Sequence, residues 1–427
     1  MGAFTPPSFA VEGAGKPEWV TRQDALDILP VKPATLYTYV SRGLIRRQKA
    51  RGARQSLFSM QDLERLRAQS DAHASNAARA VAALRWGEPI IATAITELRP
   101  DGPRYRRRKA LELASEGIDF EQVCRLLWTG ETVEPGAAWP PTDHAALAVA
   151  VEALAGSTVT PDLMKLFAAT ALMTPLMTGH RNELEDGSTI AAAQALIQVL
   201  AGVCGFLGPQ GGLIRARPGD LVAATLVRAL GLEGRDRASA MINAALVVCA
   251  DHELAPATFT ARVAASAGAD LYACVSAGIS AHSGAVVGQA CEQTEVLLAD
   301  LSGHREWREK LALIRNHGGR LFGFNHPLYR QGDPIGQYLI NLSRGLDPLP
   351  ERAARAIAFL DEAAAAGSHA GIGAGLVVLT MALGAPRRSA LAIWMIGRTA
   401  GLTAHVIEQR QADFQFRPRA RFLDLGP

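Results

Sequence analysis

Beyond residue 85 the chain keeps one pattern to its end. Apolar residues, chiefly Ala and Leu, recur at helical spacing in segments of about 12 to 20 residues that Gly or Pro interrupt, and alternating β-branched runs are scarce. An apolar stripe of that period has to be covered by other helices, so the pattern predicts an all-α fold for most of the chain. Two stretches, Gly187–Ile214 and Leu271–Cys291, carry no charged side chain and are long enough to span a bilayer. Gln194, Gln198, Pro209 and Gln210 dilute the first, and Ser276, Ser280, His282, Ser283 and Gln289 the second. Both are therefore predicted to be buried helices of a large core, with no membrane partner.

With 427 residues there is room for two or three domains, and 48% hydrophobic with 20% charged residues excludes disordered and collagen-like classes. The five cysteines, Cys124, Cys204, Cys249, Cys274 and Cys291, lie in apolar surroundings without CxxC spacing, which predicts core thiols rather than a disulfide framework or a zinc site. The first residues lack a basic segment followed by an apolar run, so no signal peptide is read and a cytoplasmic location is expected. No Walker loop, strand-linked GxGxxG or Ser-His-Asp arrangement is found. Neither a metal nor a permanently bound cofactor is predicted.

Charge divides the chain. From Lys16 to Ser70 there are eleven Lys and Arg against five Asp and Glu, whereas the whole chain carries only +3, so the remainder is mildly acidic. That asymmetry predicts a small anion-seeking module at 16–70, behind a flexible 1–15 and ahead of an Ala-rich linker at 71–84. Within it, Thr21 and Asp24 form a capping-box-like start to a helix, and Pro33 opens a second helix that ends near Gly43. Two short extended runs around Gly52 follow, with Arg42, Arg46, Arg47, Lys49, Arg51 and Arg54 uninterrupted by any acid, which reads as a basic hairpin. Ser59 and Asp62 open a third helix.

Helix, tight turn, helix and basic hairpin together resemble the winged helix-turn-helix of the MerR and excisionase group. The resemblance implies a duplex-DNA partner, with Lys32, Thr35, Tyr37, Thr38, Tyr39 and Arg42 toward bases or nearby backbone and Arg46, Arg47 and Arg51 on phosphates. Read from the residues alone, the same basic face also suits a packing or dimerisation module.

In the large domain, 85–427, four segments stand in order: ITELRPDGPRYRRRKALELASEGIDFEQVCRLLWTGE, DHELAPATFTARVAASAGADLYACVSAGISAHSGAVVGQA, GFNHPLYRQGDP and GRTAGLTAHVIEQ with RPRARF. They are similar to the citrate synthase family, of citrate or 2-methylcitrate type. The resemblance implies a two-lobed all-α domain, its small lobe at roughly 285–385, a homodimer or a hetero-oligomer with a paralogue, and condensation of acetyl-CoA or propionyl-CoA with oxaloacetate or a related 2-oxo acid. By position it places His252 on the dicarboxylate, His326 on the ketone oxygen, Arg398 and Arg417 on carboxylates, and Arg330 near CoA phosphates.

Elsewhere the chain departs from the family. Where the family has Ser-Gly-Pro-Leu-His-Gly-Gly, residues 283–289 read Ser-Gly-Ala-Val-Val-Gly-Gln, so Val287 stands at the enol-stabilising histidine. Gly373 stands at the aspartate base, and Ile335 replaces an arginine of the Asp-Pro-Arg segment. General-base and charge-stabilising groups are each worth roughly two to four orders of magnitude. Impaired catalysis is therefore expected, in a dicarboxylate- or acyl-CoA-responsive regulator. An active synthase of altered chemistry, with His282 or His369 swung inward, and a non-catalytic subunit of an active paralogue are the alternatives.

Overall fold

The computed structural model describes residues 19–29, 31, 33–41, 44–49, 56–64, 91–141, 145–156, 162–178, 183–184, 188–284, 286–299, 301, 307–312, 323–326, 328–329, 331–412 and 414–418. The chain separates into two compact units, Met1–Ala92 and Thr93–Pro427.

In the first unit the capping box forms as expected. Thr21 Oγ1 accepts from the Asp24 amide, and Asp24 accepts from the Thr21 amide, at the start of helix Arg22–Ile28. A second helix, Pro33–Ser41, begins at the proline whose fixed φ suits a first turn. The basic runs pair as antiparallel strands, Arg47–Lys49 against Ser56–Ser59, with Trp19–Val20 on the other side of Ser56–Ser59. Residues 60–64 are helical, and Ser59 Oγ accepts from the Asp62 amide. Val20, Ala25, Leu29, Leu36, Ile45, Phe58 and Leu63 bury a small core of their own.

The second unit is predominantly helical, with one correction to the all-α expectation. The start of the first family-like segment makes a three-stranded antiparallel sheet, Thr96–Arg99, Gly102–Tyr105 and Arg108–Lys109. Its strands are too short for periodicity to reveal them. Arg106 and Arg107 form the second turn at φ 47° and 75°, and Arg106 reaches back to donate to the Leu127 carbonyl at 2.9 Å. Arg106 thus caps the C-terminus of helix Phe120–Thr129.

The helices enclose one continuous apolar core containing all five cysteines as buried free thiols. Two helical stretches, Thr189–Phe206 and Ser389–Gln411, are long and apolar enough to cross a membrane, but 67% and 89% of their most apolar windows are buried among other helices, as in core helices. The second uncharged run is broken: helix Leu271–His282 ends in a turn, and Gly288–Ala299 starts a new helix beyond it.

Two close approaches set up the site. On Ser389–Gln411, a Cβ at Gly397 would lie 2.8 Å from Cys249 Cβ, and one at Gly401 2.6 Å from the Ala250 carbonyl oxygen. Only hydrogen fits there, which lets this helix press onto the end of Ala238–Cys249. In the same way, a Cβ at Gly375 would lie 2.8 Å from the Gly336 carbonyl oxygen, clamping Ile372–Leu383 against Pro334–Arg344.

Candidate functional site

The glycines flanking Arg398 explain where its side chain sits. Arg398 is only 4% exposed, and its Nε donates to the Cys249 carbonyl at 3.2 Å. Among the described residues it makes no ion pair, although its charge acts on Asp251, His252 and His282. A buried guanidinium without a carboxylate partner is costly and favours an anionic ligand.

Asp251 is held from behind. Arg262 Nη1 donates to His405 Nδ1 at 2.9 Å, so the His405 proton sits on Nε2, which faces Asp251 Oδ2 at 3.4 Å. Burial drives the Asp251 carboxyl up, but His405, Arg398 and Thr96 outweigh it and hold the group down at about 2. His252 follows directly, and Glu253 after it takes a left-handed backbone at φ 53°, unfavourable for a branched-free but bulky side chain. Burial, then the Arg398 charge, hold the His252 imidazole below its ordinary value, hence neutral.

His326 arrives from a different segment. The Asn325 amide donates to the His369 carbonyl and Asn325 Oδ1 accepts from the His369 amide, both at 2.8 Å, with Asn325 itself at φ 53°. Buried Asp333 then accepts from Ile335 and Ile372, tying the starts of two helices together. The result is a ring pair: His252 and His326 lie 5.4 Å apart between centroids, edge to face. His326 Nδ1 accepts from the Leu328 amide at 3.2 Å, so a neutral ring carries its proton on Nε2, where it can donate to a carbonyl oxygen. Burial lowers its pKa, consistent with that neutral state.

Tyr329, not among the residues singled out from sequence, packs against the same pair, tilted 5.1 Å from His326 and edge to face 6.2 Å from His252. It is buried, and its hydroxyl has no partner among the described residues. Its place four residues before Asp333, in a segment already singled out for a histidine, was the available signal.

At the altered positions, Val287 lies in the turn after Leu271–His282 and donates its amide to the Gly284 carbonyl. Gly373 is buried, and a Cβ there would meet Trp394 Cζ3 at 3.7 Å and Cys291 at 3.8 Å. The ring of Trp394 therefore borders this position. His369 is half-buried and engaged through its backbone with Asn325, with no contact to Gly373 described.

The remaining candidates scatter. Arg417 is exposed beside Phe416, which packs on Phe259, and no described hydrogen bond or ion pair joins it to Arg398 or the histidines. Arg330, Lys32, Arg42 and Arg51 lie outside the described residues. In the first unit Tyr37 is exposed between the Arg22 and Arg47 guanidinium groups, each 6.0 Å from its ring, with Thr38 exposed and Thr35 half-buried nearby. Arg46 is engaged within the unit: its guanidinium, on a side chain 62% exposed, is bonded to buried Asp62 at 2.8 Å and also to Ser59 and Gln61. The carboxylate shut into that corner is thereby given a cation.

The second unit is thus a predominantly helical domain in which buried Arg398, without an ion pair among the described residues, acts on neutral His252, and His252 meets neutral His326. Residues 83–419 match the family model described as citrate synthase, C-terminal domain, and the chain belongs to the citrate synthase family. It is similar to "Putative citrate synthase 2" of Mycobacterium tuberculosis H37Rv, 33% identical over 193 residues, covering 44% of this chain and 52% of the relative. It is also similar to the "2-methylcitrate synthase" of Shewanella oneidensis, 28% identical over 193 residues, covering 44% and 51%. The chain thus spans about half the length of the curated relatives it matches. Among solved structures, the fold is shared with citrate synthase of Thermoplasma acidophilum in its ternary complex with carboxymethyl coenzyme A and oxaloacetate, at TM-score 0.68 and 18% identity over 80% of this chain and 95% of that one. Citrate synthase of Thermotoga maritima aligns at TM-score 0.66 and 20% identity, over 80% and 94%.

Proposed function

We propose that the large domain, 85–427, binds a short dicarboxylate of the oxaloacetate type between His252, His326 and Arg398, with Arg417 completing the carboxylate clamp. Acetyl-CoA or propionyl-CoA is the second ligand, its phosphates toward Arg330. The observation that carries this reading is Arg398: buried, without an ion pair among the described residues, and acting on a neutral His252 imidazole that does not compete for an anion. In this arrangement His326 Nε2–H donates to the ketone oxygen while the guanidinium holds a carboxylate. With Val287 and Gly373 in place of a histidine and an aspartate, ordinary condensation is slow. The domain then acts as a dicarboxylate- and acyl-CoA-responsive regulator of a DNA-binding winged helix-turn-helix at 16–70, as a homodimer.

The test is calorimetric titration of the full chain with oxaloacetate. Binding is expected in the wild type, with at least about tenfold weaker affinity in Arg398→Ala, the loss of one charge-assisted contact. Equal affinity in the two proteins refutes the pocket. An active citrate or 2-methylcitrate synthase with altered catalytic groups is the second reading. It is favoured by one buried imidazole with an unpartnered nitrogen at the altered end of the pocket.

A further inference from the structure

That imidazole is His282, and nothing in its immediate surroundings explains it. It is the last residue of helix Leu271–His282, 4% exposed, and its Nε2 has no hydrogen-bond partner among the described residues. A buried polar nitrogen is normally paired, and an exception asks for a ligand or a water. Its position is specific. The His282 carbonyl oxygen lies 2.7 Å from where a Cβ of Gly288 would be, next to Val287. Its ring meets Trp394 edge to face at 5.0 Å, and Trp394 lies 3.7 Å from where a Cβ at Gly373 would be. His282 therefore stands between Val287 and Gly373, two of the three positions that depart from the family. The Trp394 indole nitrogen is likewise buried without a partner among the described residues.

The Arg398 charge reaches His282 as it reaches His252, which places the imidazole within the same electrostatic environment as the dicarboxylate pocket. Burial first, and Arg398 second, keep it neutral, so it has one N–H to donate and one nitrogen to accept. A neutral donor with a free nitrogen suits an uncharged carbonyl oxygen.

We infer that His282 makes the polar contact to the acyl end of a bound acyl-CoA that the residues at 287 and 373 do not make. The inference rests on the reading of the pocket given above and assigns His282 a binding role toward the thioester carbonyl, with Trp394 as the wall that holds the ring. No bond is made or broken in this step.

The experiment uses the full chain saturated with oxaloacetate and titrated separately with acetyl-CoA and with free CoA, which lacks the acyl carbonyl. Proteins compared are the wild type, His282→Gln, which keeps a side-chain donor, and His282→Phe, or His282→Leu should the larger ring not be accommodated. Acetyl-CoA is expected to bind about tenfold more weakly to the apolar variants and near wild-type strength to His282→Gln, with free CoA and oxaloacetate affinities unchanged. Equal acetyl-CoA affinity in all the proteins overturns the inference, as does a loss shared by free CoA. Failure of the wild type to bind acetyl-CoA also overturns it, and leaves the dicarboxylate reading to stand or fall on Arg398→Ala.

Discussion

Keeping His282 neutral has a thermodynamic consequence that can be measured without any ligand. Its folded pKa is pushed down to about 3 from an ordinary 6.5, by burial and then by Arg398. As pH falls through 6.5 the unfolded chain takes up a proton that the folded chain refuses, so stability is lost on acidification, progressively until the folded pKa is reached. At about pH 5.5 the unfolded imidazole is roughly ten parts protonated to one neutral, and the refusal costs about 1.4 kcal/mol. Near pH 7.5 the same cost is under about 0.1 kcal/mol, because little of the unfolded imidazole is charged. The size of the effect does not depend on the folded pKa as long as that lies well below the working range. Glutamine cannot titrate, so His282→Gln should lose about 1.3 kcal/mol less than wild type between these two pH values, whatever its absolute stability. Urea unfolding followed by circular dichroism at both pH values gives the four free energies. Every other titrating group cancels in the double difference. If wild type and variant lose the same stability within about 0.3 kcal/mol, the folded imidazole accepts a proton and the account of its environment is wrong.

Three further outcomes are expected. Glu121, buried with one oxygen bonded to the Val222 amide and the other unpartnered, has its carboxyl pushed up by burial to about 7 from 4.5. The stability it contributes is complete below 4.5 and lost as pH rises through 7, so Glu121→Gln should gain on the order of 1–3 kcal/mol near pH 8 and almost nothing near pH 4.5, read from urea midpoints. Gly373→Ala, whose Cβ meets only ordinary contacts, should shift stability by no more than about 1 kcal/mol, whereas Gly202→Ala, whose Cβ would collide with the Ile214 carbonyl, should cost more than about 3 kcal/mol. Thermal melts that reverse that order would contradict the packing described. For the first unit, duplex-DNA binding by the full chain should show a log-affinity against log-salt slope that falls by about 0.9 in Arg47→Ala, while Tyr37→Ala mainly blurs sequence preference. Absence of duplex binding at low salt leaves that unit a packing element.

Much of this protein is fixed by local chemistry and so was legible before any fold was known. Helical period, the Thr21–Asp24 cap, Pro33 at a helix start and the pairing of the two short basic-hairpin runs act over a few residues, and the structure carries each of these as read. The meeting of His252 with His326 was legible for another reason: two short motifs resembled one family, whose fold brings them together. What composition and spacing could not supply was neighbourhood at long range. Arg46 has the same sequence signature as Arg47, yet the corner that buries Asp62 takes Arg46 and leaves Arg47 against Tyr37. Tyr329 and Trp394 look like ordinary core aromatics in sequence; only packing shows Tyr329 against both histidines and Trp394 beside Gly373. His282 is the clearest case. A histidine at a helix end is usually solvated and gains from the dipole once protonated, but here burial strips away water, the Arg398 charge adds to the effect, and a neutral imidazole results, its Nε2 without a partner among the described residues. Desolvation is a property of everything that surrounds a group, and residues far apart in the chain decide it.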